Sequence, residues 1–193
     1  MPRISLPAPE AMSPEQRQVY DKVVSGPRGK IEGPLRAALH NAELADRWQA
    51  LGALLRYGTG LTPRQSEIAI LVTGRACQSP FEWYAHRRES EKIGIEPDIL
   101  DALLAQSEPQ FRAPEEKLVW RFARELNHHN SVSDATYAQT LAHFGERVVV
   151  ELTALIGYYT MVAMTLNAHE IPLPEGQSPA FPLPQQMTLD FTS

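Results

Sequence analysis

The most regular feature of the chain is the spacing of its apolar residues between Leu35 and Tyr57. They recur at steps of three and four residues, the spacing that places side chains on one face of an α-helix. This segment predicts either one long helix or two helices with a kink near Asn41. The apolar positions are Leu35, Ala38, Leu39, Ala42, Ala45, Trp48, Leu51, Leu54 and Leu55.

Helix starts outside this segment are marked by a proline at the first helical position, where its missing N–H costs nothing, or by a capping serine. Glycines and polar loops mark the ends. The predicted helices run from Pro14 to about Ser25, Pro63 to about Cys77, Pro80 to near Gly94, Pro97 to about Gln106, Pro114 through Leu126, Asp134 to near Gly145, and Glu146 to about Ala168.

The last predicted helix is apolar nearly all round, so we expect it to occupy the core. No segment shows the strict apolar/polar alternation that is typical of a half-buried strand. The pattern therefore predicts an all-α fold, a single-domain bundle of about seven to eight helices.

Proline-rich segments flank the helical region, which we place at residues 13–171. Residues 1–12 predict an extended arm that lies across a neighbouring subunit, and residues 172–193 predict a tail that follows the surface or reaches a partner. Residues 26–34 are rich in glycine and proline and predict an irregular loop. This loop forms either a pocket wall or a plain connector.

Composition narrows the possible partners. A chain of 193 residues suits one sizeable domain. Its formal charge of -5 and its lack of a dense basic patch argue against a nucleic-acid partner. The most apolar stretch, Leu152 to Leu166, is shorter than the roughly 18 residues of a membrane helix and is interrupted by polar residues. We interpret it as a core helix and expect no membrane partner.

Cysteine usage narrows the chemistry. Cys77 is the single cysteine, so the chain can form neither an internal disulfide nor a thiolate cage for zinc. The first residues do not resemble a secretory signal. We expect a cytoplasmic location.

The candidate chemistry lies in one stretch, Leu61 to Gly94. Glu82 and His86 are four residues apart, so on a helix their side chains lie on one face and can meet. Glu67 lies on the preceding predicted helix, and a tight turn between the two helices would bring it to the same place. A histidine beside carboxylates can act as a general acid or base.

The same stretch resembles the signature of the carboxymuconolactone decarboxylase family, within the alkylhydroperoxidase D-like superfamily. The resemblance rests on Arg64-x-x-Glu67, an apolar run and Arg75, followed by Phe81-Glu82-Trp83-x-x-His86 and Gly94, with a looser likeness over residues 33–167. It implies an all-helical protein of the alkylhydroperoxidase D-like type. It also implies a homo-oligomer, either a dimer, a trimer or a hexamer built as a trimer of dimers.

The superfamily contains two chemistries. Its peroxidase branch uses two cysteines, and at the matching positions this chain has Ser79 and Glu82. The decarboxylase branch acts on a carboxylated lactone with neither a metal nor an organic cofactor. The resemblance therefore implies a lyase with a small carboxylate substrate, in which His86 is the acid/base, Glu82 orients it and Glu67 assists. The alternatives are a peroxidase that uses Cys77 with an external thiol and a non-catalytic oligomeric binding protein.

Other residues are candidates for substrate binding. Arg75, two turns beyond Glu67 on the same predicted helix face, would hold a substrate carboxylate or form a salt bridge to Glu67 or Glu82. Trp83 and Tyr84 would line the pocket, although we expect one of them to serve packing. His40 would approach the site or lie at a helix end.

A metal site is not expected. Adjacent histidines on a helix, such as His128 and His129, point about 100° apart and do not share an ion easily. Tyr158 and Tyr159 likewise face different sides of their helix, so one of the two hydroxyls is expected to reach a cavity.

Overall fold

The computed structural model describes residues 2–26 and 29–182, and within them it contains helices but no strand. The all-α fold class and the expected number of helices are confirmed. The α-helices are α1 (Pro14–Val24), α2 (Pro34–Ala38), α3 (Ala42–Tyr57), α4 (Pro63–Ala76), α5 (Pro80–Lys92), α6 (Pro97–Leu104), α7 (Pro114–His129) and α8 (Asp134–Ala168), and a 3-10 helix, Pro9–Ala11, precedes them.

Local capping explains why the helices begin where the sequence predicted. Helices α1 to α7 all have proline in the first turn except α3. Ser13 and Thr62 form capping boxes, in which each side chain accepts a backbone N–H three residues later. Asn41 caps α3 by accepting the N–H of Leu44. The segment from Leu35 to Tyr57 is therefore two helices, α2 and α3.

Helix α8 runs through the predicted break at Gly145, where the backbone is not helical (φ 76°, ψ 166°). Two predicted helices thus follow one another with a sharp kink, and glycine tolerates the positive φ. Of the described helices, α8 is long and apolar enough to cross a membrane by length and composition. Core helices share that property, and α8 packs against α4, α5 and α7. We therefore interpret it as the central helix of the bundle.

Helix α4 is the most enclosed element. All its residues from Gln65 to Gly74 are buried, and it packs against α5, α7 and α8. Ile68 and Leu71 are completely excluded from solvent, and truncating such residues typically costs about 2–5 kcal/mol. This packing fixes the position of Glu67, which projects from the middle of the helix.

The described residues of the arm and of the tail fold back onto the same chain. In the arm, the backbone oxygen of Leu6 accepts a hydrogen bond from Arg36 (2.7 Å), and Ser5 contacts His40. In the tail, Ile171 and Phe181 are buried. The expected contact of the tail with a partner stays a prediction, because residues 183–193 lie outside the described residues.

The described part of the loop at residues 26–34 packs against the start of α5. Gly33 has φ 53° and ψ -124°, a conformation that side chains strongly disfavour. A Cβ atom built there would lie 2.8 Å from Cε1 of Phe81. Both the backbone and the neighbouring ring therefore require glycine.

We expect Gly33→Ala to lower the free energy of unfolding by about 1–3 kcal/mol, because it adds both strain and a clash. Chemical denaturation would measure the loss. Gly176→Ala is the matched control, since Gly176 also has a positive φ (77°) but a Cβ there meets nothing within 4 Å. That variant adds the strain without the clash, so it should lose less stability than Gly33→Ala. Equal stability of the two variants would contradict this account of Gly33.

A candidate active site between α4 and α5

Helices α4 and α5 bring together the three residues that the sequence singled out. Residues 77–79 form the tight turn between the helices, in which Gln78 adopts a positive φ of 50°. Gly74 permits a close approach, because a Cβ atom there would lie 3.3 Å from Cβ of Glu82. The predicted meeting of Glu67, Glu82 and His86 is therefore confirmed.

His86 lies between the two carboxylates. Its Nδ1 is 2.7 Å from Oε2 of Glu67, and its Nε2 is 3.1 Å from Oε1 of Glu82. All three residues are less than a tenth exposed. Since both ring nitrogens are occupied, His86 can exchange a proton with other groups only through one of these carboxylates or after a side-chain movement.

The carboxylates decide the charge of the ring. Burial by itself would lower the pKa of His86, but the charges and hydrogen bonds of Glu67 and Glu82 outweigh it and raise this pKa to about 9. At neutral pH the ring is therefore an imidazolium that donates one hydrogen bond to each carboxylate. The site holds a proton between two acceptors.

Two residues that the sequence did not assign to the site complete it. Arg56, from the last turn of α3, places Nη2 3.6 Å from Oε1 of Glu67. Tyr159 of α8 packs edge-on against the His86 ring, with centroids 4.9 Å apart. Burial raises the pKa of Tyr159 well above its ordinary value, so its hydroxyl stays protonated. Of the two adjacent tyrosines, Tyr159 is thus the one beside the site.

The turn before α5 carries Ser79, at the position of the first redox cysteine, and Cys77, two residues before it. Ser79 is fully buried, and its Oγ has no hydrogen-bond partner among the described residues. Cys77 is half-buried. Burial raises the pKa of its thiol, and the charge of Glu82 adds to this, while a hydrogen bond with Thr160 opposes it. Cys77 therefore lacks the environment that produces a thiolate.

The expected position of Arg75 is wrong. Its Nε donates to the backbone oxygen of Leu104 (2.9 Å), and its guanidinium stacks on the ring of Phe181 at 4.5 Å. No described ion pair joins it to Glu67 or Glu82. Eight residues of helix turn the side chain by about 800°, or 80° away from Glu67, so Arg75 leaves the face that we assigned to it.

The other candidates for substrate binding also have partners elsewhere. Trp83 is buried and packs edge-on against Phe181. The hydroxyl of Tyr84 accepts a hydrogen bond from Arg88 (2.7 Å). His40 is exposed between α2 and α3, where its Nε2 lies 2.8 Å from the backbone oxygen of Ser5. The structure brings none of these three side chains into a described contact with His86.

Two grooves and a pair of exposed histidines among the described residues lie outside the His86 site. A groove of about 570 Å³ lies between α7 and α8, and a much smaller one adjoins Arg75. His86 lines neither of them, so the cavity expected beside it stays a prediction. His128 and His129 are exposed in the last turn of α7, and the described residues contain no cluster of three or more potential metal ligands.

A comparison with family models supports the resemblance seen in the sequence. Residues 42–125, which contain α3, α4, α5 and the His86 site, match the model of the carboxymuconolactone decarboxylase family. A comparison with curated protein sequences finds no significant match.

Solved structures share the fold. An uncharacterized peroxidase-related protein from Silicibacter sp. TM1040 is 16% identical, with a TM-score of 0.74, over 89% of this chain and 91% of that one. An alkylhydroperoxidase AhpD core protein, from Ralstonia eutropha JMP134 and also described as uncharacterized and peroxidase-related, is 17% identical, with a TM-score of 0.75, over 90% and 93%. The debrominase Bmp8 is 11% identical, with a TM-score of 0.69, over 84% and 87%. At these identities the likeness shows the fold of the family domain and not its reaction.

The raised pKa of His86 predicts how stability depends on pH. Because the pKa is higher in the folded state than the ordinary 6.5, the stabilisation is fully present below pH 6.5 and is lost as the pH rises through about 9. Denaturant unfolding of the wild type and His86→Gln should show a stability difference that shrinks over this range. His143→Gln, at an exposed histidine of α8, is the control. A stability difference between the wild type and His86→Gln that does not change with pH would contradict the raised pKa of His86.

Proposed function

We propose that this chain is an enzyme that transfers protons to or from a small carboxylated lactone or related acid, in the manner of a lyase and without an organic cofactor. The single observation that carries the proposal is the buried imidazolium between two carboxylates. An isolated buried charge is costly, whereas a shared proton in a closed site is what general acid/base catalysis requires.

The chemistry can be written so that atoms and charges balance. When the substrate loses carbon dioxide, the electron pair of the broken C–C bond stays on the substrate carbon and is delocalised into the lactone carbonyl. That carbon then takes one proton from the site. His86 supplies the proton through Glu82, becomes a neutral imidazole, and regains a proton from solvent.

Glu82 is our choice for the group that meets the substrate. Glu67 pairs with Arg56 as well as with His86, whereas Glu82 pairs with His86 and its charge also acts on the thiol of Cys77. In this arrangement His86 stores the proton and Glu67 orients the ring. This reverses the roles that the sequence suggested for His86 and Glu82, and the reason is that both ring nitrogens are occupied.

The peroxidase alternative is less well supported. Peroxide reduction by a single cysteine requires a nucleophilic thiolate, and the surroundings of Cys77 raise the pKa of the thiol. The similar structures described as peroxidase-related share the fold at low identity. A peroxide assay with Cys77→Ser tests this alternative, because consumption that depends on Cys77 would favour it over proton transfer.

The first experiment is a mass-spectrometric screen for decarboxylation across carboxylated lactones and β-keto acids. We expect His86→Asn and Glu82→Gln to lower turnover of the substrate found by about 10²–10⁴-fold, because each removes the stored proton or its route. Glu91→Gln is the control, since Glu91 lies on the same helix but pairs with Arg87 at the surface. Full turnover by His86→Asn would refute the proposal.

We also propose that the chain associates with copies of itself through an exposed face of α8. Val150, Ala154, Gly157, Met161 and Met164 follow steps of four and three and are all exposed, the spacing of a seam between packed helices. No charged residue of α8 follows Glu151. Val150, Met161 and Met164 are exposed large apolar side chains, and an exposed apolar stripe of this kind marks an interaction surface.

Size-exclusion chromatography with light scattering would test this face. We expect the wild type to be a dimer or a larger assembly and Met161→Glu to shift it toward the monomer, because the variant places a charge in the apolar seam. Ala135→Glu, at an exposed position before the kink in α8, should leave the assembly unchanged. A monomeric wild type, or one that binds lipid vesicles instead of itself, would contradict the proposal.

A further inference from the structure

Arg56 is the most exposed member of the candidate site. Its side chain is 19% exposed, whereas those of Glu67 and His86 are 8% exposed and that of Glu82 is 5% exposed. It lies where α3 meets α4 and α8. A molecule that approaches the buried proton from this edge therefore meets the Arg56 guanidinium before it reaches Glu67 or His86.

The donors of Arg56 are not used by the protein. A guanidinium carries five N–H groups in a rigid plane, yet none of the described hydrogen bonds comes from Arg56. Its pairing with Glu67 is loose, at 3.6 Å. The contrast with Arg64 is clear, because Arg64 donates to Glu116, to the backbone oxygen of Gly94 and to Glu96 at 2.7–2.8 Å.

The residues around Arg56 hold its guanidinium in place but accept no described hydrogen bond from it. It lies over the ring of Tyr57, 5.2 Å from the centroid, and this stacking limits its movement. It also interacts electrostatically with Tyr159 and Glu89. The Arg56 nitrogens are not among the described buried side-chain atoms that lack a partner, so they reach solvent, and an acceptor can approach them from that side.

We propose that Arg56 binds the carboxylate of the substrate, the role that Arg75 cannot fill. A carboxylate matches the planar fork of arginine and can accept two parallel hydrogen bonds from it. This inference rests on the proposed function, since it names the group that recognises the acid. Arg56 lies 3.6 Å from Glu67, and Glu67 contacts His86 at 2.7 Å, so a carboxylate held at Arg56 lies next to the residues that hold the proton.

Binding can be measured without turnover. The probe is a γ-butyrolactone that carries one carboxylate, compared with its uncharged methyl ester, in isothermal titration calorimetry of the full chain. We expect the wild type to prefer the acid. Arg56→Gln should weaken binding of the acid by about ten- to a hundredfold and leave binding of the ester unchanged.

Two further variants sharpen the result. Arg56→Lys keeps the charge but loses the bidentate geometry, so its affinity for the acid should be intermediate; it also carries the test if Arg56→Gln fails to fold. Arg47→Gln is the matched control, because Arg47 lies on the same helix but is 77% exposed and pairs with Glu43. It should bind like the wild type.

Three outcomes would overturn the inference: no binding of the acid by the wild type, equal binding of acid and ester, or wild-type affinity for the acid in Arg56→Gln. Titration and turnover measured together on His86→Asn separate this inference from the proposed function. Carboxylate binding that depends on Arg56, together with turnover that survives His86→Asn, would support the inference while the proton-transfer mechanism fails.

Discussion

The imidazolium of His86 between two buried carboxylates is the interaction on which the rest of the site depends. Burying one cation with two anions leaves a net negative charge in a poorly solvated place, and Arg56 restores the balance from α3. Removing a cationic partner or an anionic partner from this group would leave an uncompensated buried charge. The site is therefore tied to the packing of four helices, and its geometry is a property of the bundle.

Helices α4 and α5 supply the rigid part of this arrangement. Helix α4 is enclosed by its neighbours, so Glu67 is held by the core itself. Gly74 lets α5 approach closely enough for His86 to span the gap between Glu67 and Glu82. A Cβ atom at this glycine would lie 3.3 Å from Cβ of Glu82, so Glu82 would have to shift by a few tenths of an ångström, and the close packing around it resists such a shift.

The fold is shared with proteins described as peroxidase-related and with a debrominase, while the polar groups in this chain differ from a dithiol site. Ser79 and Glu82 occupy the positions of the redox cysteines in the resembling peroxidase branch. A carboxylate at such a position exchanges protons where a thiol would exchange electrons. The same helical pair can thus support different reactions, which is why the fold alone does not name one.

The sequence by itself determined the features that depend on neighbours along the chain. Proline and capping residues indicated the helix starts, and the four-residue step from Glu82 to His86 placed both side chains on one face. These follow from local geometry and local hydrogen bonds. For residues 35–57 the pattern allowed one helix or two, and the structure decided for two. The tight turn predicted between α4 and α5 added Glu67 to the Glu82–His86 pair, and the family resemblance supported that prediction.

Only the tertiary structure decided which distant groups join this pair. Arg56 and Tyr159 come from α3 and α8, and nothing in their local sequence indicates that they meet Glu67 and His86. For Arg75, the count of helical turns predicted the wrong face. Its side chain contacts the end of α6 and a ring from the tail instead. The physical reason is that helical periodicity fixes the direction of a side chain relative to its own axis, whereas the packing of the axes decides what that side chain touches.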